Sequence, residues 1–266
     1  MPELPDVQVF KEYLDATSLH QRVGHVYVSA DGILEDVSAS TLRRHLEGRE
    51  LESTRRHGKH LFVDADGGGW LRLHFGMTGR PGYWKDGSRE GDDPDHTRLR
   101  LDFRGGGHLA YVNVRKLGQI GLVEDPDAWI REEGLGPDAL DPALDVDGLV
   151  GILEGRSGAI KSTLMNQSYL AGIGNIYADE ILFQAGVHPE TPAGELGRNR
   201  VEELLRQMRR VLKAAVDARV EDFPDWFLLP HRDGDHRCPK CGDELEKMEV
   251  SGRTTWFCPR RQGTEP

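Results

Sequence analysis

The stretch AIKSTLMNQSYLAGIGNIYADEILFQAG (159–186) decides how this chain is built. Apolar residues recur at helical spacing on both sides of a tight GIGN (172–175), which predicts helices over 159–172 and 176–186. A longer amphipathic pattern over 199–220 adds a third helix, and helices of this length form a small all-α domain by mutual packing. The turn has its own chemistry. A glycine-bracketed entry into a helix presents free N–H groups and a positive dipole end, a seat for one phosphate. Asn175 adds a side-chain amide, and Lys161 lies one helix earlier. By itself the same GxGN is also an ordinary interhelical turn.

Upstream the texture differs. RVGHVYVSA, HLFVDA, WLRLHF, TRLRLDFR, GHLAYVNV and QIGLVE alternate or cluster apolar residues between 22 and 124, with glycine-rich turns between them. Short strands at this spacing predict an antiparallel sandwich or barrel, interrupted by one helix near 40–48 and preceded by a helix within 1–15. The segment 124–150, rich in Asp, Pro and Gly, reads as a linker. The expected fold class is α+β multidomain. A β-sandwich domain spans 1–125, a helical domain 126–228, and a cysteine-bearing hairpin 229–266.

That hairpin holds all three cysteines. Cys238-Pro-Lys-Cys241, then Cys258-Pro-Arg-Arg261, is a CxxC…CxxC zinc ribbon with arginine at its fourth position. A guanidinium has no lone pair for a metal, so Arg261 is not a ligand. Zinc through Cys238, Cys241 and Cys258 then takes water, His236 or His231 as its fourth partner, or the hairpin stands without metal.

At the other end, MPELPDVQVF (1–10) places a small proline after the initiator. Removal of Met1 would leave a secondary α-amine at Pro2 beside the Glu3 carboxylate. A free α-amine titrates near ~8, well below lysine, so part of it is nucleophilic at neutral pH. Two further stretches stand out. TRRHGKH (54–60) is a basic turn that holds Lys59 against a strand, and HFGMTG (74–79) puts Met77 at a hairpin tip. An exposed methionine there is either a plain turn residue or a wedge that fills the gap left by an unstacked base.

The chain has 266 residues, 37% hydrophobic and 30% charged, enough for a sizeable core in a soluble protein. No run of 18 apolar residues and no signal-peptide pattern occurs, which places it in the cytoplasm. Its net charge of −11 argues against a polyanion partner, yet local basic stretches (54–60, 156–161, 206–210, 251–261) oppose acid-rich ones at 86–95 and 124–147.

Together these pieces resemble the formamidopyrimidine-DNA glycosylase / endonuclease VIII family of base-excision repair enzymes. The likeness rests on PELPDV (2–7), RRHGKHL (55–61), HFGMTG (74–79), the block 160–189 and GRTTWFCPRRQ (252–262), in the family's order. It implies an N-terminal β-sandwich, a helix–two-turn–helix domain, a C-terminal zinc finger, and damaged double-stranded DNA held across a cleft by a monomer. Pro2 matches the family's nucleophile, Glu3 its acid/base carboxylate and Lys59 its lysine near the damaged nucleotide. Lys161, Asn175 and Arg253 match the residues that grip flanking phosphates. Met77, Arg115 and Leu117 match those that fill the vacated space, with Leu117 where an aromatic is common. The activity implied is removal of an oxidised base through a Schiff base at Pro2, followed by β/δ-elimination. The competing expectations are a protein directed at abasic sites or crosslinks, and a catalytically silent damage-binding protein.

Overall fold

The computed structural model describes residues 1–29, 31–67, 69–85 and 95–265; of the acid-rich run 86–95, only Asp95 falls among them. The chain divides into two compact units, Met1–Pro2 with Asp6–Glu133 and Glu3–Pro5 with Gly134–Pro266.

In the first, α1 (Leu4–Thr17) leads into β1 (Val23–Val28), α2 (Ala39–Leu46), β2 (Leu51–His57), β3 (His60–Ala65), β4 (Trp70–His74), β5 (Gly79–Trp84), β6 (Thr97–Phe103), β7 (His108–Asn113), β8 (Gln119–Val123) and α3 (Pro126–Glu132). The strands form two four-stranded sheets, ordered β1-β6-β7-β5 and β2-β3-β4-β8, with every pairing antiparallel. Period-two alternation does the sorting in β6: Leu99, Leu101 and Phe103 are buried while the residues between them are partly exposed. Val26, Leu101 and Leu109 from one sheet join Leu61, Leu73 and Ile120 from the other in one core, which Val7 and Leu14 of α1 complete. This is the expected sandwich.

Two local expectations are corrected, and one strand was not foreseen. Residues 54–57 are not a turn but the end of β2, and only Gly58 and Lys59 turn the chain into β3. The strand GRPGYW (79–84) carries a proline and two glycines that hide it in the sequence; β5 is tolerated because it lies at a sheet edge. The segment read as a linker holds two helices, α3 and α4 (Val146–Leu153). Its aspartates are caps: Asp125 accepts from the Asp127 N–H at 2.9 Å and Asp145 from the Gly148 N–H at 2.8 Å, with Pro126 in the first turn of α3.

The second unit continues with α5 (Ile160–Met165), α6 (Asn175–Ala185), α7 (Arg198–Asp217), α8 (Leu229–Arg232), the hairpin β9 (Glu246–Val250) and β10 (Arg253–Phe257), and α9 (Pro259–Gln262). α5 stops well short of 172 because Asn166 leaves the helix and its Oδ1 accepts from the Ser168 N–H at 2.9 Å. α7 buries Val201, Leu204, Leu205, Met208, Val211, Leu212 and Ala215, a single apolar stripe. α6 is buried from Tyr177 through Ala185 and ends at Gly186, whose φ of 62° is the left-handed cap that glycine adopts without strain.

Candidate functional site

The start of α6 is occupied by the chain's own carboxylate. Glu3, 1% exposed, accepts from the N–H groups of Gly174 (2.7 Å), Ile176 (2.9 Å) and Tyr177 (3.2 Å). The Leu4 N–H donates to the Gly172 carbonyl at 3.0 Å, so the PELP segment is pinned at two points. GIGN must be glycine-bracketed for this reason: a Cβ at Gly174 would lie 2.5 Å from the Glu3 carboxyl and one at Gly172 2.5 Å from Leu4. The reading of these N–H groups as a free phosphate seat is therefore corrected. They fix Glu3 and stabilise its negative charge.

Lys161 also departs from expectation. A phosphate grip needs an accessible ammonium, but Lys161 is fully buried and its Nζ forms a 2.7 Å ion pair with Asp179. It donates as well to Thr255 Oγ1 at 2.6 Å and to the Thr254 carbonyl at 3.2 Å. Asp179, 1% exposed, accepts from the Trp256 N–H at 3.1 Å. Burial pushes the Lys161 ammonium down and the Asp179 carboxyl up, and their mutual attraction opposes both shifts. Asn175 is half-buried and its Nδ2 donates to the same Thr254 carbonyl at 3.2 Å. Arg253, the next residue in β10, is exposed. Lys161, Asn175 and Arg253 thus converge on one point of the hairpin, with Arg253 alone wholly at the surface.

The sulfur donors of Cys238, Cys241 and Cys258 lie within 4.8 Å of one another, and no His, Asp or Glu among the described residues joins them. Three soft donors suit zinc; the fourth comes from neither histidine considered above. His236 stacks on Trp256 at 4.9 Å, and His231 Nδ1 pairs with Asp235 at 3.0 Å. Arg261 is exposed.

In the first unit Lys59, 9% exposed, is held at the Gly58–Lys59 turn. Next to it His60 and His74 stack at 4.9 Å. Burial, reinforced by His74, His57 and Lys59, pushes His60 down to about 3. Burial, then Lys59 and Arg72, takes His74 down to about 4. Both rings are neutral at pH 7.

Met77, Arg115 and Leu117 come together on this unit. Met77 and Leu117 are 41% and 50% exposed, and Arg115 Nη1 lies 3.2 Å from Met77 Sδ. The Arg115 N–H donates to Thr78 Oγ1 at 3.1 Å, and Gly76, at φ 59°, packs against the Leu117 backbone where a Cβ would clash. Beneath them is a buried lock absent from the sequence reading: Asn113 Nδ2 donates to the Phe75 carbonyl (3.1 Å) and Tyr111 OH (2.9 Å), and Tyr111 OH donates to the His74 carbonyl (2.9 Å). Asp179 was missed too, although adjacent acids in an apolar run (IYADEILF) signal a buried partner.

Comparison with known proteins fits this geometry. The formamidopyrimidine-DNA glycosylase N-terminal domain matches residues 1–120, its H2TH domain 135–223, and the zinc finger found in FPG and IleRS 235–260. Formamidopyrimidine-DNA glycosylase of Moorella thermoacetica is 36% identical, over 98% of this chain and 92% of its own. The chain belongs to the formamidopyrimidine-DNA glycosylase family. The Geobacter metallireducens member is 34% identical over 98% of this chain and 100% of its own. Among solved structures, MutM in complex with carbocyclic 8-oxo-G containing DNA superposes with a TM-score of 0.87 at 25% identity, covering 98% of this chain and 99% of that one. A Lactococcus lactis Fpg mutant in complex with Fapy-dG containing DNA gives the same TM-score, identity and coverage. Family members are base-excision repair glycosylases with AP lyase activity. The finger match and the three gathered thiols are consistent with zinc binding. No described helix is long and apolar enough to cross a membrane.

Proposed function

We propose that this chain, as a cytoplasmic monomer, excises an oxidised base from damaged duplex DNA and cleaves the resulting abasic site, with Pro2 as nucleophile once Met1 is removed. The observation that carries the reading is Glu3, the residue after the nucleophile, whose carboxylate is oriented by three backbone N–H donors. A pure binding protein has no use for a fixed carboxylate beside a secondary α-amine.

The chemistry follows from the amine. The Pro2 lone pair forms a bond to the sugar C1′ as the glycosidic bond breaks, and the base leaves with the electron pair of that broken bond and takes a proton from solvent. Glu3 takes the proton shed by the amine and delivers it to O4′ as the O4′–C1′ bond opens. The product is an iminium, which holds its positive charge without needing a proton and acidifies C2′. Loss of the C2′ proton expels the 3′-phosphate; a second proton loss, from C4′, expels the 5′-phosphate. Water then hydrolyses the iminium and frees Pro2. Lys59 lends positive charge near the 5′-phosphate. The base must leave the stack first, at a cost of a few kcal/mol that is smaller at a damaged pair. Met77, Arg115 and Leu117 fill the gap, while Asn175 and Arg253 engage flanking phosphates. Lys161 acts at one remove, positioning the strand that carries Arg253. Zinc would be held by Cys238, Cys241 and Cys258 and would take no part in bond breaking.

The test is a panel of duplexes bearing single oxidised purines, oxidised pyrimidines or abasic sites, incubated with borohydride. Trapped complex together with 3′- and 5′-phosphate ends is expected on at least one oxidised base. Binding without trapping or cleavage on every duplex would select the silent damage-binding reading, and cleavage of abasic sites alone the abasic-site reading.

A further inference from the structure

Among the described residues no His, Asp or Glu joins the three thiols as a fourth ligand, yet the hairpin is tied down elsewhere. Lys161 and Asn175 both donate to the Thr254 carbonyl, Lys161 to Thr255 Oγ1, and the Trp256 N–H to Asp179. Ser162 and Ser251 are hydrogen bonded at 2.6 Å at the turn end. At the other end the Cys258 N–H donates to Gln262 Oε1 (2.9 Å), and Gln262 Nε2 to the Val187 carbonyl (2.8 Å). Phe183, Leu228, Leu245 and Trp256 bury Cys238 and Cys258 in an apolar cluster of their own. A buried ion pair gives little net stability, but removing one partner strands a desolvated charge, so the pair enforces one arrangement strongly.

We propose that the buried Lys161–Asp179 pair, and not the metal, seats the β9–β10 hairpin, and that Cys238, Cys241 and Cys258 form a labile three-thiolate metal position whose fourth ligand comes from outside the chain. Loss of the metal then leaves Arg253 in place. The DNA consequence rests on Arg253 being a phosphate contact, as read above; the seating does not.

The experiment compares the full-length chain loaded with zinc and stripped by chelator under reductant, since Cys241 and Cys258 sulfurs lie 3.6 Å apart and would otherwise oxidise. Amide exchange over Glu246–Phe257 should change by less than about threefold on stripping, and accelerate at least about tenfold in Asp179→Asn with or without metal. If Asp179→Asn fails to fold, Thr255→Val, which removes one bond to Lys161, is read the same way. With a duplex carrying a stable abasic analogue, Arg253→Ala should lower the salt-dependence slope by about one, Asp179→Asn should do the same, and the double variant no more. Arg261→Cys, which completes the tetrahedron, should release metal to a competing chelator at least about tenfold more slowly. Loss of hairpin protection on stripping alone, or additive slopes in the double variant, overturns the seating. Equal release rates overturn the outside ligand. An unchanged slope in Arg253→Ala removes the phosphate reading while amide exchange still judges the seat.

Discussion

The two compact units each hold a set of candidate side chains, and the two sets are held in opposite ways. In the first, Met77, Arg115 and Leu117 project from loop tips into solvent, supported from below by the Tyr111–Asn113 lock. In the second, Glu3 and Lys161 are 1% and 0% exposed, with their polar atoms bonded to backbone or to buried partners. Residues proposed to fill a gap in DNA must keep their side chains at the surface. Residues that fix a reacting group must be immobile beforehand. The difference teaches which substitutions will damage function alone and which will damage the fold as well.

The largest expected contrast is at Glu3. Glu3→Gln keeps the shape but replaces one acceptor oxygen with an NH2 group and cannot carry the proton, so base excision should fall by roughly 10²–10⁴-fold. Cleavage of pre-formed abasic sites should be less affected, as gel assays on the two substrates would show. Equal losses on both would remove Glu3 from the ring-opening step. Next is Lys161→Met, which strands Asp179 in an apolar site. It should destabilise the second unit by about 3–5 kcal/mol, read by amide exchange, while the first unit is unchanged. A surface-like effect on stability would mean the lysine reaches solvent after all.

Acid should separate the units further. Unfolded histidine takes up its proton near 6.5, but folded His60 and His74 do so only near about 3 and about 4. The unfolded state then binds more protons below pH 6.5, so the first unit loses stability as pH falls through that window, by roughly 3 kcal/mol for a shift like that of His74. Glu180 in α6 runs the other way. It is 1% exposed and accepts from the Leu228 and Leu229 N–H groups, and burial raises its carboxyl to about 7. Here the folded state holds the extra proton between pH 7 and 4.5, so the second unit gains up to about 3 kcal/mol as pH falls over that range. Amide exchange followed separately in each unit from pH 7 to 5 should diverge, and Glu180→Gln should flatten the second unit's slope; parallel trends would refute the contrast. The smallest effect is at the tips. Met77→Ala should leave stability within about 0.5 kcal/mol and slow excision roughly tenfold.

Much of the fold was legible because its signals are local. Alternation in TRLRLDF (97–103) and the apolar stripe of α7 specify their elements without help from elsewhere. Where the reading failed, a residue's meaning depended on a neighbour. Aspartate and proline at 125–126 suit a linker and a helix cap equally well, and only Trp129, packed on His60 at 4.9 Å and under Arg72, shows that the segment covers a sheet. The site follows the same rule. Pro2, Glu3 and Met77 stand as candidates on chemistry and position alone. The fate of the GIGN N–H groups was not legible, since their acceptor lies 171 residues earlier in the chain. Nor was the burial of Lys161, whose counter-ion is Asp179 on the next helix.

The proposed activity depends on which nitrogen bonds to the sugar. The direct measurement is mass spectrometry of the borohydride-trapped complex after tryptic digestion of the protein. The predicted result is a deoxyribose adduct on the peptide beginning at Pro2 with Met1 absent; an adduct on the peptide containing Lys59, or trapping that persists with Met1 in place, would contradict it.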